Sequence, residues 1–237
     1  MNTRTIPITF YTKPMNTQIP KIFLFIAILL KTQSSAFATE APWVGFNFKG
    51  LLCSGGAQGY GPYDYTSKLN RKNKLPIVNK NHFTKGIERH EPKPGRHNVT
   101  GDIDYTLRAF PKHHKALISI ARYQLKINAG YKLVKFKTPI ECYFQRAINF
   151  SPKDSGSYSL YAYYFKKIGL YNKSEEMYKK AFNISPNSPK IQYSYSLLLI
   201  KMKKYKEAMK YAKLAYKNGQ PPAALKNKLI NLGKWKD

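Results

Sequence analysis

Residues 144–152 read FQRAINFSP and residues 178–186 read YKKAFNISP. In each stretch an aromatic residue is followed three positions later by Ala147 or Ala181, and each closes on Ser-Pro. The two prolines, Pro152 and Pro186, stand 34 positions apart. One further period places Ala215 in register with Ala147 and Ala181, before the stop Gly219-Gln220-Pro221-Pro222. Going backwards, Leu107-Arg108-Ala109-Phe110-Pro111 is a helix end of the same kind, 41 residues before Pro152. The surplus of seven falls in Asn128–Lys137, a Lys-rich segment with Gly130. A fixed period with helical spacing and a proline at each end predicts repeated helical hairpins, and so an all-α chain, from Asp102 onward.

The residue types fit that geometry. Ala162, Ala181, Ala208, Ala212 and Ala215 let helix axes approach, while Tyr158, Tyr161, Phe165, Tyr171, Tyr178 and Tyr205 fill the space between pairs. Gly169 stands where a first helix must stop and turn. From about Asp102 to Gly219 the chain resembles tetratricopeptide repeats, with three units and a last helix, Ala223–Leu232, capping the stack. A narrower likeness lies in GYGPYDYT (Gly59–Thr66), HFT (His82–Thr84) and GDIDYTLRAFPKHHKAL (Gly101–Leu117), which together resemble a family of bacterial exported tetratricopeptide proteins. That resemblance implies a bacterial source and a leader; it implies no activity.

The 237 residues divide into three expected parts. Residues 22–30, IFLFIAILL, are long enough for the core of a signal peptide and too short to span a bilayer. Lys13 and Lys21 precede the run and Ala36-Phe37-Ala38 offers an A-x-A cleavage pattern, so residues 1–38 read as a leader, with Met1 or Met15 as the start. The expected location is periplasmic or secreted, the alternative being a membrane anchor through an uncleaved leader. Residues 39–101, broken by Gly55-Gly56, Gly59, Gly61-Pro62, Pro76, Pro92 and Pro94-Gly95, read as an irregular arm of turns and short extended pieces that makes no core. Residues 102–237 are the helical repeat domain. The arm holds Cys53 and the repeats hold Cys142, an even count that in an oxidising compartment allows one disulfide; two separate thiols are the other reading.

Lys+Arg 41 against Asp+Glu 12 gives a formal net charge of +29. Without the leader, 37 basic residues against 12 acidic leave +25. The hydrophobic share of 43% is too high for a disordered chain, so this charge sits on a folded surface and favours anionic partners. Carboxylates and the 5 His are scattered, and the closest constellation, Asp102, Asp104, His113 and His114, reads as helix capping and turn formation. His82 has no partner by spacing, and no C-x-x-C or metal-ligand spacing occurs. No enzyme, metal or cofactor is expected.

Tetratricopeptide resemblance implies a scaffold that binds peptides or partner domains on the first helix of each pair. Helical spacing sets Lys115, Ile118 and Arg122 on one stripe, Tyr163, Lys166 and Lys167 on the next, and Lys190, Tyr193, Leu197 and Lys201 on the third. Lysine for charge with tyrosine for contact area suits an acidic peptide or protein segment. The lysine-asparagine pattern of carboxylate-clamp relatives is not reproduced, since Ile118 and Ser159 stand where those relatives carry a basic residue. The alternative partner is an anionic polymer, whether nucleic acid, acidic polysaccharide or lipid surface; export argues against nucleic acid.

Overall fold

The computed structural model describes residues 40–92, 98–127 and 136–235, all within one compact unit, Thr39–Asp237. The expected leader, Pro94-Gly95 and most of the Asn128–Lys137 segment lie outside the described residues. Among the described residues are eleven helices and no strand, apart from a single antiparallel bridge between Phe46 and Leu52. The arm carries α1 (Lys68–Asn73), α2 (Leu75–Asn81) and α3 (Lys85–Glu88). The repeats follow as α4 (Val99–Ala109), α5 (His114–Lys126), α6 (Ile140–Phe150), α7 (Ser155–Lys167), α8 (Tyr171–Ile184), α9 (Pro189–Lys201), α10 (Tyr205–Asn218) and α11 (Ala224–Asn231). The pairs α5–α6, α7–α8 and α9–α10 are the tetratricopeptide-type hairpins, and α11 packs on α9 and α10 at the end.

Two recurring junctions build the stack. At Phe110, Ser151 and Ser185 the backbone swings to an extended conformation, the only one comfortable before the prolines 111, 152 and 186. Each stop residue then accepts, through its carbonyl, the amide of the residue three positions on: His113 at 2.9 Å, Asp154 at 3.0 Å and Ser188 at 3.2 Å. That residue is in turn the N-cap of the next helix. One four-residue turn therefore ends a second helix and starts a first helix. The other junction ends α7, α9 and α11 with a left-handed residue, Gly169, Lys203 or Gly233. Its successor donates back into the helix, Leu170 to Phe165 O at 2.9 Å, Lys204 to Leu199 O at 2.9 Å and Lys234 to Leu229 O at 2.8 Å.

Inside the hairpins the small residues do what their size predicts. Ala147, Ala181 and Ala215, one per repeat, have no accessible surface, as do Ala162, Ala208 and Ala212. Between α7 and α8, Ser174 donates its hydroxyl to Ala162 O at 2.7 Å. One period later, in α9 and α10, Ser196 donates to Ala208 O at 2.7 Å. The same two positions are used with the residue types exchanged between the helices. Aromatic rings fill the wider gaps: Tyr178 stacks on Tyr195 at 5.6 Å, and Phe144 on Tyr161 at 4.8 Å.

The arm is less irregular than its composition implies. Pro76 ends no helix; it sits in the first turn of α2, where its missing amide costs nothing. Val78 from α2 and Ile87 from α3 are almost wholly buried, Ile87 and Phe83 within the main core alongside α4–α7. The arm thus supplies core that its turn-rich sequence concealed. The first repeat helix also starts earlier than Asp102, at Val99, because the side chain of Asn98 accepts the amide of Gly101 at 2.8 Å and caps it.

What fixes the arm is α6. Arg146, buried, donates from Nε to Ala41 O at 2.6 Å, from Nη1 to Leu107 O at 2.7 Å, and from Nη2 to the Gln58 side chain and to Arg108 O. Its guanidinium lies 4.9 Å from the Trp43 ring. Four residues earlier on α6, Cys142 is disulfide-bonded to Cys53. The motifs GYGPYDYT, HFT and GDIDYTLRAFPKHHKAL meet one another here. Tyr63 N donates to Ala109 O at 2.8 Å, Asp64 pairs with Lys112 at 2.9 Å, and His82 donates to Asp102 at 2.8 Å while stacking on Tyr105. Gly61, with φ +100°, passes so close to Ala109 O that a Cβ would collide with it.

Two outcomes follow from this packing. Ala181→Leu forces extra methylenes into a closed helix contact and should lower stability by about 1–3 kcal/mol in urea unfolding. His113 is buried between Tyr65 and Phe83, and its Nδ1 accepts the amide of Ala116 at 3.1 Å. Burial pulls its pKa from 6.5 down to about 3, so the fold favours the neutral ring. Stability from this group is complete above pH 6.5 and is lost as pH falls toward the folded value. His113→Asn keeps a capping oxygen and should flatten the stability slope between pH 6.5 and about 5.5, where carboxylates remain mostly ionised.

Candidate functional site

Lys166 and Lys167 close α7, Lys201 closes α9, Lys203 forms the turn after α9, and Lys228 lies in α11. With Tyr171, Leu197, Ile200, Tyr205 and Leu232 they line one open cavity of about 520 Å³. The repeat explains their convergence. Stacked hairpins align equivalent positions, so Lys167 and Lys201, Tyr171 and Tyr205, and Gly169 and Lys203 are pairs 34 residues apart. The lysines at the ends of α7 and α9 also oppose the negative helix termini, which favours cations there before any ligand is considered.

Local charge is uncompensated. None of the five lysines belongs to an ion pair among the described residues, and no carboxylate lines the cavity. Several acidic residues are engaged elsewhere. Asp154 caps α7 and accepts from His114 at 2.7 Å, and Asp104 accepts from Arg108 at 3.0 Å and from the Tyr143 hydroxyl at 2.6 Å. Glu175 lies between Lys204 at 2.7 Å and Lys179 at 3.0 Å; burial would raise its pKa, and these two lysines hold it below the ordinary value. Partial burial and then the charges of Lys167 and Lys228 lower Lys166. An anion entering the cavity would relieve that repulsion, and the tyrosines and leucines offer it apolar walls.

Of the residues singled out by sequence, Lys166, Lys167, Leu197 and Lys201 meet in this cavity. Tyr163 stands beside it, with Lys167 Nζ 5.6 Å and Lys166 Nζ 5.8 Å from its ring centre. Tyr193 packs against the core of α7–α11 instead of lining the cavity. Lys190 lies in the first turn of α9, at the opposite end from Lys201, and Lys115 and Arg122 are exposed on α5, away from it. Spacing along one helix could not join Lys203 and Lys228 to the set, because they come from a turn and a cap. The signal for Lys203 was nonetheless present: it takes the place of Gly169 one period later.

The Asp102, Asp104, His113 and His114 constellation does not converge. Each of the four has a separate structural partner, and no group of three metal-ligating side chains occurs among the described residues. No described helix is long and apolar enough to cross a membrane.

No family model and no curated protein matches the chain. Among solved structures, the crystal structure of MamA is similar over 69% of this chain and 86% of that one, at 16% identity and a TM-score of 0.45. A likeness of that degree assigns neither ligand nor partner.

Lys203 is held at φ +60°, a conformation that Gly169 and Gly233 adopt without a Cβ. Lys203→Gly should therefore leave stability unchanged or raise it by up to about 1 kcal/mol in thermal unfolding. A drop of similar size would show that Lys203 contributes packing at this turn.

Proposed function

We propose that this protein is a non-catalytic, exported scaffold that binds an acidic protein segment in the lysine-rimmed cavity. The carrying observation is the set of Lys166, Lys167, Lys201, Lys203 and Lys228 around one cavity with no carboxylate among its walls. Charge supplies attraction and orientation, while Tyr171, Tyr205, Leu197 and Leu232 give contact area to side chains between the acidic residues. The cavity admits an extended segment and not a folded domain, since about 520 Å³ holds a few side chains. Export is supported by the apolar run 22–30 with Ala36-Phe37-Ala38 and by the Cys53–Cys142 bridge, which suits an oxidising compartment. On this reading the mature chain begins at Thr39 and works in the bacterial envelope.

Fluorescence anisotropy with a labelled peptide of alternating Glu and Leu tests the site. Lys201→Glu/Lys203→Glu should weaken binding at least about tenfold, because two attractive charges become repulsive. Lys115→Glu/Lys190→Glu, the same charge change away from the cavity, should have little effect. Raising salt from about 50 to about 200 mM should weaken the wild type, since exposed charges are screened. Equal loss in both variants would assign the binding to overall charge and reject the cavity.

A further inference from the structure

Far from the lysine cavity along the chain, the turn Phe46–Leu52 presents apolar side chains to solvent. Leu52 is 73% exposed, Leu51 62%, Phe46 61% and Phe48 45%. Four such residues within seven positions, on a protein whose other large apolar side chains are mostly interior, mark an interaction surface. The turn is not left over from poor packing, because it is pinned throughout. Asn47 N donates to Leu51 O at 2.8 Å, and the Asn47 side chain accepts the amides of Lys49 at 2.9 Å and Leu51 at 3.0 Å. From α6, Gln145 donates to Phe46 O at 2.9 Å and Glu141 accepts from Phe48 N at 2.8 Å. Cys53, the next residue in the chain, is covalently tied to Cys142. Phe48 packs near Tyr164 and Phe165, its ring centre 6.5 and 6.0 Å from theirs.

Cations flank the tip. Lys49 lies at its apex and Lys173 Nζ is 5.7 Å from the Phe48 ring. The nearby carboxylates are engaged: Glu141 is buried with the Phe48 amide, and Glu176 pairs with Lys180 at 2.8 Å. We propose that this turn is a docking tip for an anionic lipid bilayer. Phe46, Leu51 and Leu52 enter the acyl boundary, and Lys49 and Lys173 meet the headgroups. A stable protein partner needs about 800 Å² from each side, more than a seven-residue tip provides. A bilayer accepts a few inserted side chains and adds long-range attraction to a chain of net charge +29.

Co-sedimentation with vesicles tests this, using the full chain and also the compact unit beginning at Thr39, so that the apolar run 22–30 cannot supply the binding. Wild type should sediment with equimolar phosphatidylglycerol and phosphatidylethanolamine and remain free with phosphatidylcholine alone. Leu51→Ser/Leu52→Ser, at exposed positions, should weaken that binding by about tenfold or more with unchanged helical content. Lys201→Glu/Lys203→Glu should retain most of it, which separates this proposal from the peptide-binding one. Sedimentation that survives the Leu51→Ser/Leu52→Ser change would mean adsorption by bulk charge and overturn the tip. No sedimentation at all, with a crosslinker at residue 52 capturing a protein, would hand the surface to a protein partner and equally overturn it.

Discussion

A buried guanidinium holds the arm and the repeats together. Arg146 has no carboxylate bonded to it; four of its five N–H donors go to the Ala41, Leu107 and Arg108 carbonyls and to Gln58, with Trp43 against its face. Burial lowers its pKa to about 10, so it remains a cation at neutral pH, and its hydrogen bonds offset the cost of burying that charge. Two of its acceptors are among the last carbonyls of α4, which a helix otherwise leaves unsatisfied. Loss of the guanidinium would strand the Leu107 carbonyl and release residue 41 and the Gln58 side chain, leaving the arm to the Cys53–Cys142 bridge and to contacts such as Gln145 with Phe46 and Tyr63 with Ala109. The end of α4 and the placement of residues 41 and 58 of the arm therefore rest on one side chain.

Division of labour among charges explains the two surfaces. Of 12 carboxylates against 41 Lys and Arg, Asp64, Asp102, Asp104, Glu141, Asp154 and Glu175 are committed to caps, partly buried pairs or links between segments, while Glu91 and Glu176 pair with Arg89 and Lys180 at the surface. The surplus cations are then distributed by the repeat. At the turn end of the hairpins they accumulate from α7, α9 and α11; beside α6 they flank an apolar tip. The same excess charge thus lies in two settings, one concave and walled by tyrosine, the other exposed and apolar.

The repeat domain was legible because its signals are local. The prolines 111, 152 and 186 each put the preceding residue outside the helix, and an alanine returning every 34 residues marks a fully buried helix position in each unit. The end cap, expected at Ala223–Leu232, lies at Ala224–Asn231. The arm was legible only in part, since its contacts span long stretches of chain: Phe83 and Ile87 reach the core through α4–α6, and His82 finds Asp102 twenty positions away. Proline in Leu75-Pro76-Ile77-Val78 signals a break and a helix start alike, and only the packing of Val78 decides between them. The cavity was half visible, because helical spacing ranks residues on one helix and says nothing about a lysine in the turn beyond it.

The exchanged serine and alanine in the two hairpins define the unit in which this chain can be rearranged. Moving α7 into the place of α9 while leaving α10 would set Ala162 against Ala208 and leave no hydroxyl at the crossing. The converse graft, α9 against α8, would set Ser196 against Ser174 and crowd two hydroxyls into a space sized for one. A whole hairpin can be duplicated, deleted or inserted without either fault, because each brings its own donor and its own small partner. Growth or shortening of the array by complete pairs is therefore compatible with its packing, and recombination between pairs is not.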